Sequence, residues 1–194
     1  MVLADDDGVR VRFHSPQATD ARITATALVF STTRVGESPA VAIADLNGEG
    51  RNDILITDVG GSTIVVLLQD PAAAGHFLAP ITTALPSGIG ASIAIAELGG
   101  DGRPDVVIGG ADGVAVFLQD ALRPGAFAPA QSYAASLTAD GVAIADVDDD
   151  GLPDVLTNRG TSSDVVNGAL VSPPGVLYRD PAHRGHFLAL ANLR

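Results

Sequence analysis

The chain has 194 residues and a formal charge of −12, with 23 acidic side chains, 20 of them aspartate, against 11 arginines and no lysine or cysteine. Disulfides, thiolate metal sites and thiol catalysis are therefore excluded, and nucleic acid and anionic membrane surfaces are disfavoured as partners. With no apolar run of about 18 residues, no membrane insertion is expected, and Met1-Val2-Leu3-Ala4-Asp5-Asp6-Asp7 has neither the basic nor the apolar region of a signal peptide.

In chain order, Met1-Val2-Leu3 followed by Asp7-Gly8-Val9-Arg10-Val11-Arg12-Phe13 aligns with Val106-Val107-Ile108 followed by Asp112-Gly113-Val114-Ala115-Val116-Phe117-Leu118. Residues 1–35 thus read as the later part of a unit that recurs whole downstream. Residues 36–85 hold the first whole unit: a strand over 40–45, an acidic turn, a strand over 53–57, a turn at Gly60-Gly61, a strand over 63–69, a polar turn and a strand over 76–83. Short runs such as Ile64-Val65-Val66-Leu67-Leu68, rich in β-branched residues and bounded by glycine, carry the strand assignment.

Residues 86–136 and 137–194 repeat the pattern, their acidic turns opening at Glu97 and Asp146 as the first opens at Asp45, so the period is about fifty residues. A second phrase keeps step with the first. It runs from Gln69-Asp70 to Gly75-His76-Phe77, from Gln119-Asp120 to Gly125-Ala126-Phe127, and from Arg179-Asp180 to Gly185-His186-Phe187. The third unit carries extra residues, read as one long loop over 158–174. Four short antiparallel strands in about fifty residues make a unit the size of a β-propeller blade. The predicted fold is all-β, a β-propeller of four-stranded antiparallel blades, about three complete and a partial N-terminal one lacking its first strand. First strands as small and apolar as Ala42-Ile43-Ala44 suit the innermost position near a crowded axis.

The acidic turns carry the chemistry. In the third, Asp146, Asp148, Asp150 and Asp154 place carboxylates at positions one, three, five and nine, with the carbonyl of Leu152 expected at seven, a pattern that wraps oxygens around a hard cation such as calcium (Ca2+). Asp149 is expected to point outward. The first turn offers Asp45, Asn47, Glu49, the carbonyl of Arg51, and Asp53; the second is degenerate, offering Glu97, Asp101, the carbonyl of Arg103, and Asp105, with Gly99 at position three. Carboxylate number ranks them third, first, second. An EF-hand is excluded because position twelve is Ile56, Ile108 or Thr157, inside a strand, rather than a bidentate Glu. The competing reading is an acidic hairpin turn holding no metal, since Asp-Gly is common in turns.

With these loops and the Gly-x-Phe phrases in hand, the chain resembles the FG-GAP and VCBS repeat family, the propeller repeats also found in integrin α subunits. The resemblance implies a propeller with calcium in the inter-strand loops and a non-enzymatic role in adhesion or ligand binding, extracellular or at the cell envelope, with a protein or glycan ligand. No nucleophile, base and orienter recur in a catalytic pattern. His76 and His186 read as exposed turn residues, and His14 and His183 lie outside any motif. The partner surface is expected opposite the acidic turns, at segments 34–39, 86–92, 136–141 and 158–174. Alternatives are an accessory module or fragment of a secreted hydrolase or polysaccharide lyase, a self-assembling scaffold, or a lectin, the last disfavoured by the lack of tryptophan and the presence of only two tyrosines. Uncovered strand edges predict self-association through residues 1–13 and the third-blade edge, or the remainder of a longer propeller.

Overall fold

The computed structural model describes residues 2–5, 8–13, 24–26, 39–59, 62–73, 75–134, 139, 141–158, 165–166, 169–170, 175–183, 185–188 and 191–192. It is all-β, with no helix among these residues. A three-stranded sheet comes first: β1 (Val2–Asp5), β2 (Gly8–Phe13) and β3 (Thr24–Thr26). Its first two strands pair Asp5 with Gly8, at the same sequence spacing as Gly110 with Gly113 further on. Three antiparallel four-stranded sheets follow, each in chain order from one edge to the other. The first is β4 (Val41–Ala44), β5 (Asp53–Asp58), β6 (Thr63–Leu67) and β7 (Ile81–Ala84). The second is β8 (Ile89–Ala96), β9 (Asp105–Gly110), β10 (Gly113–Phe117) and β11 (Gln131–Ala134). The third opens with β12 (Val142–Ala145) and β13 (Asp154–Thr157); a separate hairpin, β14 (Val165–Val166) with β15 (Ala169–Leu170), precedes β16 (Gly175–Leu177) and β17 (Ala191–Asn192), which complete the sheet.

Two expectations need correction. The outer strand of the first sheet is Ile81–Ala84, not 76–83, because residues 70–78 are spent closing a turn. Asp70 N–H donates to His76 O (2.8 Å), His76 N–H to Ala73 O (3.0 Å) and Leu78 N–H to Leu68 O (2.8 Å), leaving a single bridge between Gln69 and Phe77. The same turn recurs with bridges Gln119 to Phe127 and Arg179 to Phe187, so the Gly-x-Phe phrase is a turn closure rather than a strand start. The 86–92 segment is likewise mostly strand, since β8 begins at Ile89 and absorbs a register shift before Ser92. The 158–174 segment contains the β14–β15 hairpin, and the rest of it beyond Asn158 lies outside the described residues, as do His14 and residues 34–38, 136–138 and 140. His76 and His186 are exposed, as expected.

Alternation along each strand divides its side chains between two neighbours. Leu46, Leu55, Ile64, Val66 and Leu68 of the first sheet pack against Val106, Ile108, Ala115, Phe117 and Phe127 of the second. The opposite face of the second, with Leu98, Val107, Val114 and Val116, meets Val155, Leu177 and Phe187 of the third. Each fully buried leucine or phenylalanine contributes about 1.5–3 kcal/mol. The first strands lie side by side, β4 and β12 each against β8, but they are less enclosed than expected at an axis, with Ile43 53% exposed.

Glycines permit the blades to interlock. Gly125 (φ +78°) and Gly185 (φ +70°) sit on Leu68 and Leu118 of the preceding blade, where a Cβ would collide. Gly102 has a similar φ (+79°) with nothing near it. Gly102→Ala should therefore cost about 1–2 kcal/mol for the left-handed backbone alone, and Gly125→Ala about 1–3 kcal/mol more for overpacking Leu68. Urea melts of the two variants measure the difference; equal losses would mean the blade interface yields freely at Leu68.

Candidate metal centre

Each acidic turn hangs from the same register: Ala44 pairs with Asp53, Ala96 with Asp105 and Ala145 with Asp154. The ninth-position aspartate is thus the first residue of the second strand, and all three are buried. Asp53 accepts N–H bonds from Leu46 (2.9 Å) and Gln69 (2.8 Å). Asp105 accepts from Leu98 (2.8 Å), Gly99 (2.8 Å) and Gln119 (2.7 Å), and Asp154 from Val147 (3.1 Å) and Arg179 (3.0 Å). One carboxylate therefore ties the start of the turn to the exit of the third strand. Burial pushes the Asp53 and Asp105 carboxyls above the usual carboxylate range, against the pull of these N–H bonds.

The first-position acid organises the turn from inside. Asp45 accepts from Gly48 (2.8 Å), Glu49 (3.1 Å) and Gly50 (2.7 Å), and Glu97 from Gly100 and Asp101. Asp146 accepts from Asp150 (3.2 Å) and Gly151 (2.8 Å). Asn47 accepts from Glu49 N–H at 3.1 Å. Asp149 is exposed, as expected, and holds a left-handed backbone (φ 61°) where the other turns have Gly48 and Gly100.

The turns then diverge at positions five and seven. Glu49 pairs with Arg51 at 2.9 Å and Asp101 with Arg103 at 2.7 Å, so in the first two turns an arginine already answers the fifth-position acid. In the third, position seven is Leu152, and Asp150 accepts its N–H at 2.8 Å instead. Counting acids alone missed this difference, although both arginines stand in the sequence.

Only the third turn, among the described residues, gathers three carboxylates: oxygens of Asp146, Asp148 and Asp154 all lie within 4.8 Å of one another. Two oxygens each about 2.4 Å from a shared calcium are at most about 4.8 Å apart. The donor set fits calcium. Asp148 is pushed above its usual value by loss of hydration and by the charges of Asp150, Asp154 and Asp146, the repulsion a cation would relieve. Asp150 stands outside the cluster.

A family model for the FG-GAP-like repeat matches residues 45–108 and 98–157, spanning each of the acidic turns. The chain belongs to the FG-GAP-like repeat family. Among solved structures it is similar to a lectin of Agrocybe aegerita described as recognising non-reducing terminal N-acetylglucosamine, with a TM-score of 0.52 and 21% identity over 96% of this chain and 46% of that one. That likeness concerns the fold, and this chain spans under half the lectin's length. No curated protein matches it.

The ninth-position bonds give a direct test. Asp105→Ala strands two buried N–H groups, those of Leu98 and Gln119, and the part-buried N–H of Gly99, and should cost about 3 kcal/mol or more, whereas Asp101→Ala removes a surface pair worth about 0–1 kcal/mol. Chemical denaturation of both variants without metal checks this, and a comparable loss at Asp101 would contradict the assignment of Asp105 as the clasp.

Proposed function

We propose that this FG-GAP β-propeller module binds calcium structurally, with the third turn as its principal site. Asp146, Asp148 and Asp154 would hold the ion, with Asp150 and the Leu152 carbonyl available to complete its shell. Its contribution would be charge neutralisation that stiffens the turn. The observation that carries this reading is the convergence of three carboxylates in the one turn without a position-seven arginine. The first turn, with Asp45, Asn47, Glu49, Asp53 and the Arg51 carbonyl, would bind more weakly, and the second, with Glu97, Asp101, Asp105 and the Arg103 carbonyl, more weakly still.

On this reading residues 1–35, 36–85, 86–136 and 137–194 are one partial and three complete blades. The module is non-catalytic and works outside the cell or at its envelope, holding a protein or glycan ligand on the loops opposite the acidic turns. Loops on a rigid scaffold are where binding usually resides. Among the described residues no helix is long and apolar enough to cross a membrane.

At dissociation constants of about 0.1–1 mM, as in extracellular modules, each occupied site would add roughly 0.4–1.4 kcal/mol at about 1 mM calcium. Calcium should raise the melting temperature and magnesium should not, and Asp148→Ala should weaken calcium binding in calorimetry more than Asn47→Ala. A melting curve indifferent to chelator, or a larger loss at Asn47, would overturn the proposal.

A further inference from the structure

The repeats are similar enough that their departures from one another are informative, and two of them meet in one place. Glu97 opens the second turn where the others have Asp45 and Asp146, and Arg179 follows the third strand where the others have Gln69 and Gln119. Both line a cleft of about 300 Å³ between the second and third blades, at the end that carries the acidic turns, together with Gly100, Gly151, Leu152 and Asp180.

At the first blade junction the glutamine plugs the corresponding position. Gln119 Nε2 donates to Leu46 O (2.7 Å) and to Pro104 O (3.1 Å), joining the first turn to the second blade. Arg179 keeps the backbone bond to the clasp, its N–H donating to Asp154 at 3.0 Å, and only 7% of the residue is exposed. Its guanidinium nevertheless has no hydrogen-bond or ion-pair partner among the described residues. The neighbouring acids are engaged elsewhere. Glu97 Oε1 accepts from the N–H groups of Gly100 and Asp101, and Asp180 accepts from Ala182 N–H (2.8 Å) and pairs with His183 Nδ1 (2.8 Å).

The Arg179 guanidinium opens on the cleft rather than on a partner among the described residues, and its planar fork matches a carboxylate in two parallel bonds. The cleft volume is at the lower end of small-molecule sites, which limits the occupant to about one ring. Glu97 Oε2, which accepts no bond from a described residue, can accept from a hydroxyl. We infer that this cleft binds a small hydroxylated carboxylate, the carboxylate on Arg179 and a hydroxyl on Glu97. The inference is independent of the principal calcium site, since neither residue belongs to the carboxylate cluster of the third turn; Glu97 is shared with the second and weakest turn.

The test uses D-glucuronate as probe, with D-glucose to remove the carboxylate and acetate to remove the ring, each titrated calorimetrically into the full chain at fixed ionic strength. Glucuronate should bind saturably, acetate more weakly and glucose not measurably; acetate equal to glucuronate would assign recognition to the carboxylate alone. Arg179→Gln installs the residue used by the sister blades, so its melting temperature should hold while glucuronate affinity falls about ten-fold or more. Arg179→Lys, which keeps the charge and loses the fork, should fall in between and serves if the glutamine variant does not fold. Absence of saturable glucuronate binding, glucose binding as well as glucuronate, or an Arg179→Gln affinity within about two-fold of the parent would overturn the inference.

Discussion

The buried carboxylates of Asp53, Asp105 and Asp154 accept backbone N–H bonds from two segments far apart in sequence, Asp105 from Leu98 and Gly99 on one side and from Gln119 on the other. Each sits at the first residue of a second strand, paired with the alanine that ends the first. Without that clasp the buried N–H groups of Leu46, Leu98, Gln119 and Arg179 would be left without an acceptor, each at a desolvation cost. The spacing of the whole repeat follows from it, because the residue after the third strand must return to the same carboxylate that receives the start of the turn.

The clasp also delivers the contacts between blades. Bonding the second-position N–H to the carboxylate fixes Leu46 and Leu98 so that their side chains enter the neighbouring core, where both are fully buried. Gln119, held by its own N–H on Asp105, extends Nε2 back to the Leu46 carbonyl, a contact across 73 positions of sequence. Tyr133 closes the second junction, its hydroxyl accepting from Phe187 N–H (3.1 Å) while the rings meet edge to face at 5.9 Å. Turn and interface are therefore one mechanical unit, and disturbing the turn is expected to loosen the junction beside it.

The strand-turn-strand pattern was legible because β-branched runs, alternate carboxylates and positive-φ glycines are local signals. What escaped were features that depend on a partner elsewhere in the chain. Phe77 and Phe187 lie in β-rich text yet close a turn, since the bonds from Leu78 to Leu68 and from Leu188 to Tyr178 are non-local. The ninth-position aspartates looked like ligands alone, because their N–H donors lie up to 25 positions away, as Arg179 does from Asp154. Arg51 and Arg103 were visible but entered only as carbonyl donors, although their side chains offset the acids two residues earlier. The significance of Arg179 required knowing that Gln119 fills the same place at the other junction.

A carboxylate oxygen has two lone pairs, so accepting an N–H bond leaves the ninth-position aspartate able to face a cation as well. The three turns differ in how much they would gain from one. In the first two, an arginine offsets the fifth-position acid and the next blade covers the second-position leucine. In the third, Leu152 replaces the arginine, Asp149 adds a further charge, and Val147, the counterpart of Leu46 and Leu98, remains 36% exposed. The turn with the most internal repulsion is thus the one with the least packing to restrain it. On the proposed reading a calcium ion there supplies, by electrostatics, the restraint that packing and arginine supply elsewhere, and the metal would matter most at the blade whose outer side is least covered.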